Sequence, residues 1–123
     1  MAKVHLVHAG DNARTELHDA LGLTGCEMSV NTMPADAETP FIHCHDQNEE
    51  LYMVLSGSGR VWLDGDVTAI REGDCFKVDP PVRRCLKAGP EGLRYVCIQA
   101  RAGSLAQYTM TDGKIVEGEK PRW

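Results

Sequence analysis

The sequence predicts an all-β domain, built as a sandwich or a barrel. Two observations carry this: the apolar residues fall in short runs rich in β-branched and aromatic types, and turn signals separate those runs roughly every eight to twelve positions. A third is that helical periodicity is confined to residues 12–21, where apolar positions are too sparse for a strong amphipathic stripe.

Taken in order, the first candidate strand is 4–8, where Lys3-Val4-His5-Leu6-Val7 alternates as an edge strand does. The weak helical piece, 12–21, follows. Strands are then expected at 25–33, 41–45, 50–55, 59–63, 67–70, 74–78, 83–87, 93–99 and 106–111. Ser56-Gly57-Ser58-Gly59 and Gly89-Pro90-Glu91-Gly92 read as breaks between strands. Asp64-Gly65, between Leu63 and Asp66, reads as a two-residue hairpin loop, because Asp-Gly supplies the positive φ angles of a type I′ turn. No repeat, low-complexity tract or linker divides the chain. Residues 1–123 are therefore expected to form one domain, with a core barrel at about 25–111 and terminal segments flanking it.

A chain of 123 residues can bury about two thirds of its unfolded surface around one core. Its 42% hydrophobic and 25% charged residues are ordinary for a globular protein. A net charge of −5 argues against a nucleic-acid partner, whose phosphates reward a basic face. The N-terminus lacks the apolar run of a signal peptide and no stretch is long enough to span a bilayer, so no membrane partner and a cytoplasmic address are expected. Cysteines at 26, 44, 75, 85 and 97 make an odd count without C-x-x-C, which reads as reduced, inert thiols.

Residues 41–61, FIHCHDQNEELYMVLSGSGRV, hold the chemistry. Side chains alternate along a strand, so His43 and His45 share a face, with Cys44 on the other. Two imidazoles on one face can meet one ion. A glutamate from the Glu49-Glu50 pair on the next strand could complete a two-histidine, one-carboxylate set with coordination positions left open.

His43-Cys44-His45, four residues, Glu50, six residues and Gly57 together resemble the first motif of the cupin superfamily, with Ala37 where that motif begins with glycine. The resemblance is to small single-domain bacterial cupins, and it implies a jelly-roll β-barrel with a metal held inside. It selects Glu50, not Glu49, as the carboxylate ligand beside His43 and His45. A histidine from a second motif would be the fourth ligand in such proteins. Here that motif is degraded: only Gly73 is in place, and Arg84 falls at the histidine position. A one-residue shift would put Cys85 there instead. Strand alternation favours Arg84 inward, because turning Cys85 inward would carry Arg83 and Lys87 with it, at several kcal/mol of desolvation for each charge.

These residues imply a cofactor and a ligand class. The expected cofactor is a divalent transition metal, with Fe, Mn, Ni and Zn all compatible, held by His43, His45 and Glu50. Arg84 and Tyr52, both on inward faces, are the expected ligand-binding residues for a small carboxylate or carbonyl compound. If the protein is an enzyme, a metal-dependent dioxygenase or isomerase type is implied. The alternative is a non-catalytic ligand-binding or sensing module, with or without metal. A homodimer is expected, through barrel faces or exchanged terminal strands.

Overall fold

The computed structural model describes residues 2–123, and its strands are those of a jelly-roll β-barrel. The elements are β1 (Arg14–Glu16), a one-turn helix α1 (His18–Leu21), β2 (Glu27–Met33), β3 (Asn48–Leu63), β4 (Asp66–Arg71), β5 (Cys75–Val78) and β6 (Arg84–Arg101). A single 3-10 turn, Thr109–Thr111, lies in the C-terminal segment. All pairing is antiparallel, in the order β1-β2-β6-β3-β4, with β5 added to β3.

Two long strands organise the barrel. Each of β3 and β6 was expected as two strands, and each instead runs through its glycine-rich stretch as one bent strand. The pairing shifts register between Val54 and Ser56 and again between Gly57 and Gly59. Glycine is needed there for close approach: a Cβ on Gly57 would strike the Gly92 carbonyl, and one on Gly59 the Lys87 carbonyl. Gly57 and Gly92 also have φ of 80° and 82°, a conformation that favours glycine. The bend divides the sheet into two layers. Residues 48–55 lie against β5 and the second half of β6, while 59–63 lie against β4 and the first half of β6.

Side-chain alternation fills the space between the layers. Tyr52, Val54, Val61, Ile70, Val78, Leu86, Ala88, Leu93, Tyr95 and Cys97 form one buried cluster. Alternate residues Leu51, Met53 and Leu55 face outward and are exposed. Between Leu63 and Asp66, Asp64 (φ 49°) and Gly65 (φ 103°) make the two-residue turn that their sequence predicts.

Four expected elements differ. Residues 4–8 and 106–111 form no strand, and their apolar side chains, such as Val4 and Met110, are exposed, so no sheet edge within the chain accepts them. Residues 12–21 split between β1 and α1, which ends where Gly22 takes φ 66°. Residues 41–45 are extended, but only His43 pairs, through an isolated bridge to Arg84. His45 N–H instead donates to the Pro80 carbonyl at 2.8 Å.

Candidate metal centre

The bridge between His43 and Arg84 ties the histidine segment to the first half of β6. Glu50 projects from the other layer. The two sets therefore face each other across the interior, with Nε2 of His45 3.4 Å from Oε2 of Glu50 and Nε2 of His43 3.9 Å from Oε1. One ligand atom from each of the three residues lies within 4.8 Å of the others. Glu49 lies on the opposite side of β3 and is half-buried.

Glu50 is 4% exposed and accepts three hydrogen bonds. Nη1 of Arg84 donates to Oε1 at 2.6 Å, the Tyr52 hydroxyl donates to the same oxygen at 2.8 Å, and the Cys97 thiol donates to Oε2 at 3.2 Å. Burial raises the carboxyl pKa and is the largest single influence. The Arg84, Tyr52 and Cys97 bonds together outweigh it, so Glu50 is held below the usual carboxylate range. Burial, reinforced by the Glu50 charge, pushes the Cys97 thiol up to about 12, and burial also raises the Tyr52 phenol. Both stay protonated as donors. His43 is held below the ordinary imidazole value chiefly by burial, which keeps it neutral and able to donate a lone pair to an ion.

Arg84 does face inward, 2% exposed, with half-buried Cys85 on the opposite side beside Thr39. Its surroundings differ from those expected. Nε donates to the Val82 carbonyl and Nη2 is shared among the carbonyls of Asp79, Pro80 and Val82 at 2.7 to 2.9 Å. With Nη1 on Glu50, the guanidinium presents no two-pronged fork to a ligand. Tyr52 likewise has its hydroxyl on Glu50, and its ring stacks on Phe76 at 4.8 Å. Of the other basic residues nearby, Lys77 pairs with Asp79, Arg83 with Asp64 and Lys87 with Glu38, all on the surface.

Cys97 is the site residue that sequence reasoning missed. Its signal was present: Leu93, Tyr95 and Cys97 alternate along β6, and Cys97 sits opposite Tyr52 in the register.

The residues fit a divalent ion. Ligands held at about 2.0–2.2 Å from one ion stand roughly 3–4 Å apart, the size of the two histidine-to-Glu50 separations of 3.4 and 3.9 Å. Nε2 of His45 is buried with no hydrogen-bond partner, a lone polar atom aimed at Glu50.

The cupin-domain family profile matches residues 29–99, which contain every residue of this centre. The chain belongs to the cupin family. A cupin protein from Bacteroides fragilis, of known crystal structure, is 43% identical to it, covers 94% of this chain and 99% of its own, and superposes with a TM-score of 0.89. The cupin domain of Schizosaccharomyces pombe Cnp3 is 23% identical with a TM-score of 0.59, over 63% of this chain and 56% of that one. An RmlC-like cupin from Shewanella frigidimarina is 22% identical with a TM-score of 0.59, over 74% of this chain and 77% of that one. These last two share the cupin fold alone. No protein with a curated description matches the chain. Among the described residues of this cupin, no helix is long and apolar enough to cross a membrane.

Proposed function

We propose that this cupin holds a divalent transition metal through His43, His45 and Glu50 and binds a small carboxylate or carbonyl metabolite beside it. The observation that carries this reading is the buried, unpartnered Nε2 of His45 facing Oε2 of Glu50. A buried ring nitrogen left without a partner costs free energy that a metal bond would recover. A divalent ion would supply Lewis-acid polarisation to a bound carboxylate or carbonyl. The chain's own residues do the rest: Arg84, Tyr52 and Cys97 fix the carboxylate of Glu50.

An anionic ligand follows from charge. Arg84 and Glu50 cancel, His43 is held below its ordinary value, and the ion's charge is left without a protein partner. The test is metal content by elemental analysis before and after chelation, followed by calorimetric titration of the stripped protein with Mn, Fe, Ni and Zn. Failure of all four to bind would end this reading.

A second reading, a binding or sensing module without turnover, is favoured by one observation. The Tyr52 hydroxyl and the Cys97 thiol have their hydrogens on Glu50, and Arg84 divides its N–H groups between Glu50 and the Asp79, Pro80 and Val82 carbonyls, so none is free to exchange a proton with a substrate. Turnover of any small acid across the metal panel would exclude it.

The protein is also proposed to pair with a second copy. Val4 and Leu6 in one terminal segment, Ile115 and Trp123 in the other, and the outward stripe of Leu51 and Met53 are all exposed, apolar surface that a second copy would cover.

A further inference from the structure

We propose that the outer face of the sheet carries a second binding site, separate from the metal centre, that takes a small flat aromatic anion. The site does not depend on the metal-binding reading.

The strand register builds it. In the pairing of β3 with β6, Trp62 stands opposite Cys85 and Arg60 opposite Lys87, while Val67 of β4 stands opposite Trp62 on the other side of β3. Side chains alternate, so these residues face away from the interior that Val61, Arg84 and Leu86 fill. The segment before His43 adds Ile42, and Glu38, which bridges to Lys87. Together they line a cleft of about 310 Å³, at the small end of ligand pockets. A second cleft, of about 230 Å³, shares Arg60 and Lys87 with the first.

Charge calls for an anion. Like charges directly opposite each other in an antiparallel pair, with Cβ atoms about 5 Å apart, repel and destabilise the sheet. Arg60 and Lys87 are such a pair, in a chain whose net charge is −5. Glu38 is the only acid lining the larger cleft; it reaches Lys87 at 4.0 Å from an exposed position, and so screens one cation weakly. Arg60 has no ion-pair partner among the described residues. An anion seated between the two cations turns their repulsion into two charge-assisted contacts.

The body of the ligand follows from Trp62. The Arg83 guanidinium lies over its ring, 5.6 Å from the centroid, and is itself held by Asp64 at 3.0 Å, so the indole is set in place before a ligand arrives. Ile42 and Val67, exposed at 55% and 58%, extend the apolar wall. A flat ring against this wall, with its acid group on Arg60 and Lys87, meets both halves of the cleft. A bare inorganic anion would leave the wall wet, and a neutral ring would leave the cations facing each other. The stripe of Leu51 and Met53 proposed above for pairing lies on the other layer, so that contact leaves this face free.

Titration of the metal-stripped full chain with naphthoate tests this, read by the indole N–H resonances of Trp62 and Trp123 in NMR correlation spectra, with Trp123→Phe to assign them. We expect a saturable shift of the Trp62 resonance. Naphthylmethanol, the same ring without the charge, and acetate, the charge without the ring, should each bind at least about tenfold more weakly. Arg60→Ala and Lys87→Ala should each weaken naphthoate by more than about fivefold. The absence of a saturable shift at Trp62 would overturn the proposal. So would equal binding of naphthylmethanol, which makes the cleft an apolar patch only, or unchanged affinity in both alanine variants. A Trp62 resonance that moves with protein concentration and does not respond to naphthoate would assign this face to a second copy and overturn the site likewise. None of these outcomes touches the metal centre, whose ion binding is measured separately.

Discussion

Nη1 of Arg84 sits 2.6 Å from Oε1 of Glu50, joining two almost fully buried charges from opposite layers of the barrel. Removing one partner strands the other. Arg84→Met is expected to cost about 3–5 kcal/mol in urea unfolding of the metal-free protein. Added zinc should recover part of the loss, since an ion at the centre gives Glu50 a new cation. A cost below about 1 kcal/mol, the value of a surface pair, would show that the contact is solvated in solution.

Arg84→His reverses an effect and does not merely delete it. The substitution removes a positive charge from beside the ion and offers an imidazole in its place. Metal affinity measured by calorimetry should rise by at least about tenfold. No change would mean that position 84 does not reach the ion.

The two glutamates separate cleanly. His43→Ala and Glu50→Ala should each remove most zinc binding, whereas Glu49→Ala, on the other side of β3, should leave it within about twofold. Matching losses from Glu49→Ala and Glu50→Ala would place the wrong carboxylate in the centre.

Acid should act through His43 first and Glu50 later. His43 is held below its ordinary 6.5 in the folded protein, so its contribution to stability is present above that pH and is lost as pH falls through the lowered value. Glu50 is held below 4.5, so its contribution is present above 4.5 and is lost only on stronger acidification. Urea midpoints of the metal-free protein should thus decline below pH 6.5, then again below 4.5. His43→Gln should lose the first decline and Glu50→Gln the second.

Sedimentation at tens of micromolar should show a dimer. Replacing Leu51 and Met53, exposed at 46% and 43%, by lysine should yield the 13.5 kDa monomer without loss of thermal stability beyond that of the dimer contact. A wild type that sediments as a monomer would refute the pairing.

Much of this was readable from alternation alone. The inward set of Glu50, Tyr52 and Val54 follows from period two, as does Arg84 inward with Cys85 outward, because the cost of burying Arg83 and Lys87 chooses the face. The pairing of Arg84 with Glu50 was not readable. They are 34 residues apart and meet across two layers, which no local pattern encodes, so the arginine was expected to face a ligand. The glycines at 57, 59 and 92 misled for a different reason. They look like strand breakers, yet Gly57 and Gly59 let β3 and β6 approach at a distance no side chain would allow, and Gly92 leaves room for the Met33 carbonyl of β2. Residues 4–8 alternate without pairing, since alternation states which face is apolar and not what covers it.

The continuous pairing of β3 with β6 also governs how fast the barrel can form. Its sequence-nearest pair is Leu63 with Arg84 and its most distant is Asn48 with Arg101, so the ladder must close ever larger loops as it extends from the Asp64-Gly65 hairpin. Folding times of milliseconds to seconds are typical of such non-local topologies. Glu50, near the far end of that ladder, meets its arginine only after most of the ladder is in place. The centre would then be the last part to assemble, and an ion that binds it would slow unfolding more than it speeds folding.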